Sequence, residues 1–322
     1  MTSTPLTRRS LLAGAAGLTT AAAVATAGLG ATPAAAAEAA ASALYPLKPP
    51  HLLEAETLVE YLRLRSDQWP LHNRYDVPGQ NLGTTAVTWG RPGHPEEFGN
   101  LSQCASFITS VLERAYGSDT AYAWATGDYF DQYFPSKSGS TRTAPFPEAE
   151  DLQAGFANAA NVPHFDPVTK PVNLRPGDLV AIDYDAVRTS TPYTGHVVMI
   201  RAVEGTFASS VDSQVGSGVV PYLFQIVDCT SNPHGDPDIT SRTSTDHYRA
   251  YPDTRGLLAD DNSAYTQSTG VGYGHMVFYA DPVTKLFAGY RWSVNDSSPV
   301  TATGSAATGA VVSAARVNAF LV

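Results

Sequence analysis

Apolar residues recur at helical spacing twice in the first third of the chain. Leu52, Leu53, Ala55, Leu58, Val59 and Leu62 trace one face of a helix predicted from Leu52 to Leu64. Phe107, Ile108, Val111, Leu112 and Ala115 trace a second, which opens at Cys104 and ends at Gly117, where a C-cap glycine belongs. Between them Trp69 to Phe98 has no period and is broken by Pro70, Pro78, Pro92 and Pro95. Further on, short apolar runs replace the helical period. Leu174-Arg175-Pro176-Gly177-Asp178 predicts a turn feeding a strand through Ile182, and His196–Val203 and Tyr222–Cys229 predict two more strands. A short helix is expected from Glu148 to Ala160. The last clear element is a hairpin, Met276–Ala280 and Leu286–Val294, about a turn at Asp281–Lys285. The pentapeptide Asp-Pro-Val-Thr-Lys of that turn also stands at 166–170; nothing around it repeats, so it reads as two similar turns without duplication.

The N-terminus sets the expected compartment. Thr7-Arg8-Arg9-Ser10-Leu11-Leu12 is a twin-arginine start, followed by an Ala/Gly/Thr-rich apolar run to Gly30 and small-residue cleavage positions at Ala34–Ala37. Residues 1–37 therefore resemble a Tat bacterial export signal, which makes the Tat machinery a partner and an extracytoplasmic, secreted location the expectation. Residues 38–50 read as a linker. The formal net charge is −10 over 322 residues, and it becomes more negative once the two signal arginines are gone. Such a chain is a poor nucleic-acid binder through bulk electrostatics.

Cys104 is one of two cysteines, the other being Cys229. A cysteine at a helix N-terminus faces unpaired backbone N–H groups and the positive end of the helix dipole, both of which favour the thiolate. A cysteine nucleophile also needs a base. Among eight histidines, His196 follows Gly195 at the start of a strand that continues Val-Val-Met-Ile. The alternative is a Cys104–Cys229 disulfide in a non-catalytic secreted binding or structural protein.

Cys104 with its helix, the Arg175-Pro176-Gly177-Asp178-Leu179-Val180 turn and strand, and Gly195-His196-Val197-Val198-Met199-Ile200 resemble the NlpC/P60 family. Those are papain-like cysteine hydrolases of cell-wall peptides; CHAP amidases are close relatives. The resemblance covers roughly residues 98 to 232. It implies an α+β fold with a nucleophile helix packed on an antiparallel sheet, inserts, and a C-terminal β-hairpin. It also implies Cys104 as nucleophile, His196 as base, and a polar orienter on the following strand, where Asp228 stands. Asn232 and His234 are the alternative orienters. Strand alternation adds a constraint: an Asp228 that faces the site turns Cys229 to the other face. The oxyanion hole would use the Cys104 N–H with Gln103 or Asn100. Gln103-Cys104-Ala105-Ser106 replaces the family's usual Asp-Cys-Ser-Gly.

The expected organisation is then a lead-in at 51–97, a papain-like core at 98–235 with an aromatic insert, and an extension at 236–322 packed on it. In the insert, Tyr122, Trp124 and Tyr129 are candidates for a substrate groove, with core packing as the other reading. The expected function is hydrolysis of peptide or amide bonds, with peptidoglycan stem peptides as substrate. No metal or cofactor is expected. Cys229 and His234 have no second ligand pair for zinc, the Asp/Pro cluster at 234–238 reads as a turn, and no serine-hydrolase, Walker or dinucleotide motif occurs.

Overall fold

A computed structural model describes residues 48–64, 72–77, 85–137, 139, 146–184, 194–235, 237–304 and 309–319. The export signal and the linker up to residue 47 lie outside them. No helix among the described residues is long and apolar enough to cross a membrane.

Helix α1 (Pro50–Arg63) starts with proline at its first position, where a missing N–H costs nothing. It buries Leu52, Ala55, Leu58, Val59 and Leu62 of the predicted stripe, whereas Leu53 lies off that face and is exposed. Three short strands follow, β1 (Asn73–Tyr75), β2 (Ala86–Thr88) and β3 (Gly99–Ser102), in a small sheet of order β1-β3-β2. Helix α2 (Cys104–Tyr116) opens with a capping box between Gln103 and Ser106. It ends at Gly117, whose backbone is extended (φ −71°, ψ −177°). Room explains this glycine: a Cβ there would lie 2.3 Å from the Glu113 carbonyl oxygen.

Helices α3 (Gly127–Tyr133) and α4 (Ala149–Ala157) precede β4 (Phe165–Val168), β5 (Leu179–Asp183), β6 (Gly195–Thr206) and β7 (Val220–Thr230). After α5 (Arg242–Ala250) and a small pair, β8 (Gly256–Leu258) and β9 (Tyr265–Gln267), come β10 (Gly270–Ala280), β11 (Phe287–Arg291), β12 (Val300–Ala302) and β13 (Val311–Val317). The main sheet is antiparallel throughout, in the order β12-β11-β10-β7-β6-β5-β13-β4. The α+β class is therefore as expected.

Alternate residues divide two cores. Leu179, Ala181, Val197, Met199, Val227 and Cys229 pack with the helices. Val180, Ile182, Val198, Ile200, Phe224 and Ile226 join Met276, Phe278 and Tyr290 on the opposite face, a core drawn from strands and turns without helices. Each fully buried leucine, isoleucine or phenylalanine contributes about 2 kcal/mol.

Two expectations change. The sheet ignores the boundary at 235, because β10, β11, β12 and β13 supply four of its eight strands and β13 is threaded between β4 and β5. The two Asp-Pro-Val-Thr-Lys segments also differ. At 281–285 the Asp281 carboxylate accepts from the N–H groups of Val283 and Thr284 and closes a turn, with Lys285 at φ +64°. At 166–168 the same residues lie in β4, paired to Ala314–Arg316 of β13. Strand pairing overrides the local turn preference there.

The predicted turn before β5 is built as its residues require. Gly177 takes φ +93°, and a Cβ would meet the Pro49 ring at 2.3 Å. The Asp178 carboxylate accepts from Arg175 N–H (2.8 Å) and from Arg316 Nε and Nη2 (2.9 and 2.8 Å). From α1, His51 donates through Nε2 to the Gly177 carbonyl (2.7 Å), and its Nδ1 is 2.7 Å from the Tyr116 hydroxyl.

Candidate active site

Cys104 is placed by the small sheet. Asn73 pairs with the backbone of Val271 in β10, donating to its carbonyl (3.0 Å) and accepting from its N–H (2.9 Å). Asn100 then donates to the Asn73 side chain (3.0 Å) and the Arg74 carbonyl (3.1 Å), and accepts from Ser102 Oγ (2.6 Å). The strand carrying the cysteine is thereby moored to the main sheet, and Cys104 falls at the first position of α2, 5% exposed. There the backbone N–H groups have no intrahelical partners.

His196 and Asp228 meet where β6 and β7 part. The two strands pair only from Met199↔Val227 onward, so residues 195–198 stay with β5 while 228–230 stay with β10. In that fork His196 donates from Nε2 to Asp228 Oδ2 (2.8 Å). The Cys104 side chain is near enough to act on the same imidazole, and Nδ1 is the ring nitrogen that Asp228 does not engage. Burial alone depresses the His196 pKa, yet the charge and hydrogen bonds of Cys104 and Asp228 outweigh it and raise the pKa above the usual histidine range.

Asp228 is fully buried. Burial pushes its carboxyl up, but Arg255, His234 and His196 together hold it well below the ordinary carboxylate range. Arg255 Nη1 lies 2.9 Å from Oδ1, and His234 Nε2 donates to Oδ2 at 3.0 Å. His234 Nδ1 lies 2.6 Å from the Trp292 carbonyl oxygen. The Trp292 ring stacks on His234 (centroids 4.1 Å) and meets His196 edge-on (4.7 Å). A cleft of ≈210 Å³ opens over the imidazole, lined by Tyr75, Tyr184, Gly195, His196, Asn232 and Trp292 among others.

His196, Asp228 and His234 are close enough to share a metal ion. Their donors, however, stand at hydrogen-bond distances from one another, and a guanidinium occupies the second carboxylate oxygen. A dication would have to displace those bonds beside a fixed positive charge, so the geometry is that of a hydrogen-bonded network.

The remaining predicted residues are sorted as follows. Both cysteines are free, and Cys229 faces away from Asp228 as alternation requires, its thiol donating to the Ser102 carbonyl (3.2 Å). Asn100, an oxyanion candidate, is buried and its amide is spent on Asn73, Arg74 and Cys229. The Gln103 amide donates to the Asp76 carbonyl (3.1 Å). Both side-chain amides are thus engaged by the protein itself.

Of the groove candidates Trp124 and Tyr129 are buried in the core and Tyr122 is half-buried against it. Trp124 stacks between Tyr116 and His164 (5.2 and 4.6 Å), Tyr129 donates its hydroxyl to the Pro163 carbonyl, and Tyr122 packs against Tyr116. The alternative orienters fall on either side of the network: His234 binds Asp228, whereas Asn232 lines the cleft and its carbonyl accepts from Trp292 Nε1 (3.1 Å). Sequence reasoning missed Tyr75, Tyr184, Arg255 and Trp292, which lie in segments without local pattern; Trp292, two residues inside the end of the predicted hairpin, had a strand to place it but nothing to aim it.

No profile of a known protein family matches the chain, and no solved structure matches it. Among curated proteins it is similar to one described as uncharacterized protein R653 of Acanthamoeba polyphaga mimivirus, 23% identical over 215 residues, which span 66% of this chain and 77% of that protein.

Proposed function

We propose that the protein is an exported cysteine hydrolase that cleaves an amide bond, with peptidoglycan stem peptides as its substrate class and a papain-like, NlpC/P60-type core as its scaffold. One observation carries the reading: Cys104, at a helix N-terminus, neighbours an imidazole whose Nε2 is held 2.8 Å from a buried carboxylate. This order of thiol, imidazole and carboxylate is the one that acyl transfer through a cysteine needs, which supports the reading.

In the proposed reaction His196 Nδ1 takes the Cys104 proton and the thiolate attacks the amide carbonyl carbon. The oxyanion forms against the Cys104 N–H and the start of α2. His196 then returns the proton to the leaving nitrogen, the C–N bond breaks, and a thioester remains. A water, deprotonated by His196, attacks that thioester; the C–S bond breaks and the carboxylic acid leaves. Asp228 keeps Nε2 protonated throughout and stabilises the imidazolium. Trp292 screens the ring from bulk water on one side. The twin-arginine N-terminus supports an extracytoplasmic site of action.

The test is incubation of the purified protein with peptidoglycan fragments, with mass spectrometry of the products. New amine and carboxyl termini that disappear with Cys104→Ala are expected; full cleavage by that variant overturns the reading.

A further inference from the structure

Behind Asp228 lies a second layer of charge, and it comes from the segment that the family resemblance does not cover. Arg255 stands just before β8, with its side chain fully buried. Asp253 grips it twice, accepting from Nε at 2.9 Å and from Nη2 at 2.8 Å, and accepts the Arg255 backbone N–H at 2.8 Å as well. The remaining terminal nitrogen, Nη1, reaches Asp228 Oδ1 (2.9 Å) and donates to the Gly270 carbonyl (3.0 Å). Asp253 also accepts from the His234 backbone N–H (2.8 Å), so one carboxylate sets both groups that touch Asp228 from behind. Gly274 makes room for this: a Cβ there would stand 2.8 Å from Asp253 Oδ2 and from the His234 ring.

We propose that Arg255 is a positioning residue of the active site: clamped by Asp253, its guanidinium fixes Asp228 as an anion with Oδ2 turned toward His196. The proposal rests on the hydrolase reading and deepens it. The planar fork matters, because the Nε–Nη2 edge must serve Asp253 while Nη1 reaches Asp228, a division a lysine ammonium cannot reproduce. A buried carboxylate stripped of its cation takes up a proton. A neutral Asp228 no longer stabilises the His196 imidazolium, and the thiolate partner of that imidazolium becomes rarer. The groups that bear on Asp228 are His196 from β6, His234 after β7 and Arg255 before β8, with Asp253 behind Arg255; Tyr184, Cys104 and Cys229 complete the titratable surroundings.

The experiment follows the rate of Cys104 alkylation by iodoacetamide against pH, on the full chain, in wild type, Arg255→Met, Arg255→Lys and Asp253→Asn, with circular dichroism as the check of folding. In Arg255→Met the midpoint of the profile is expected to rise by about one pH unit, which is about tenfold slower labelling at neutral pH. Arg255→Lys should recover part of the shift. A folded Arg255→Met protein with the wild-type profile overturns the proposal. Should that variant fail to fold, the near-isosteric Asp253→Asn is read the same way, and an unmoved midpoint is again fatal. The two readings fail separately. A wild-type Cys104 that labels no faster than Cys229 defeats the hydrolase, whereas a reactive Cys104 indifferent to Arg255 defeats only the clamp.

Discussion

The fork between β6 and β7 and the seam where the helices sit on the sheet each hold a buried thiol and a buried imidazole. In the fork His196 is bonded to the Asp228 carboxylate and has Cys104 as its neighbour. In the seam Cys229 donates to a carbonyl and accepts from the Asn100 amide, and burial pushes its thiol up to about 12. His51 there lies between a phenol and a carbonyl, and burial pulls it down to about 4. Residue type and burial are thus shared; an ionic partner is what separates the pair in the fork from the pair in the seam. Neutral hydrogen bonds satisfy the seam without supplying charge, so desolvation wins there and loses in the fork.

The largest contrast to test is thiol reactivity. A thiol near 12 is about 10⁻⁵ ionised at pH 7, so iodoacetamide should mark one cysteine in native protein, Cys104, and two in denaturant. Two labels at equal rates in the native state would erase the distinction. Next, Cys104→Ala should lower turnover by about 10⁴-fold, while Cys229→Ala leaves it within a factor of two. Asp228→Asn keeps the shape and removes the charge that opposes desolvation. It should cost about 10³-fold in kcat, and wild-type turnover in this variant would show that the fork needs no anion.

The seam makes its own prediction about pH. The folded-state value of His51, about 4, lies below its value of about 6.5 in the unfolded chain. Unfolded protein therefore binds the proton first, and stability falls as pH drops from 6.5 toward 4, by about 3 kcal/mol for this residue. His275, also lowered to about 4 by burial, adds a loss of the same sign. Urea midpoints at pH 7 and pH 5 should differ less in His51→Gln than in wild type. Smallest is Cys229→Ser, whose hydroxyl can still donate to the Ser102 carbonyl; it should change stability by less than about 1 kcal/mol.

Much of this architecture could be read from the chain because local pattern and tertiary demand agree there. The stripe from Phe107 to Ala115 is helical by period and buried by position, and the Val-Val-Met-Ile run after His196 is buried on both faces. The order of Cys104, His196 and Asp228 was visible for the same reason. Long-range pairing was not. Val311–Val317 has no alternation to announce a strand inserted into the middle of a sheet, and Asp166–Val168 has a turn's sequence in a strand's place. Arg255 sits in a polar stretch where nothing distinguishes a buried cation from a solvated one. The aromatics from Tyr122 to Tyr129 were ambiguous, since a packed cluster and a binding groove use the same side chains.

The threading of β13 between β4 and β5 also bears on the timing of synthesis. Its Gln153–Ser313 and Asp178–Arg316 contacts tie α4 and the turn before β5 to nearly the last described residues. A nascent chain on the ribosome holds Cys104, His196 and Asp228 well before that strand emerges, yet the sheet that aligns them is still open in the middle. Completion depends on contacts of very large sequence separation, which form slowly. A protein made this way stays unassembled until translation has passed Val317, and a truncation that spares every candidate site residue but removes β13 should yield protein that the cell's proteases degrade.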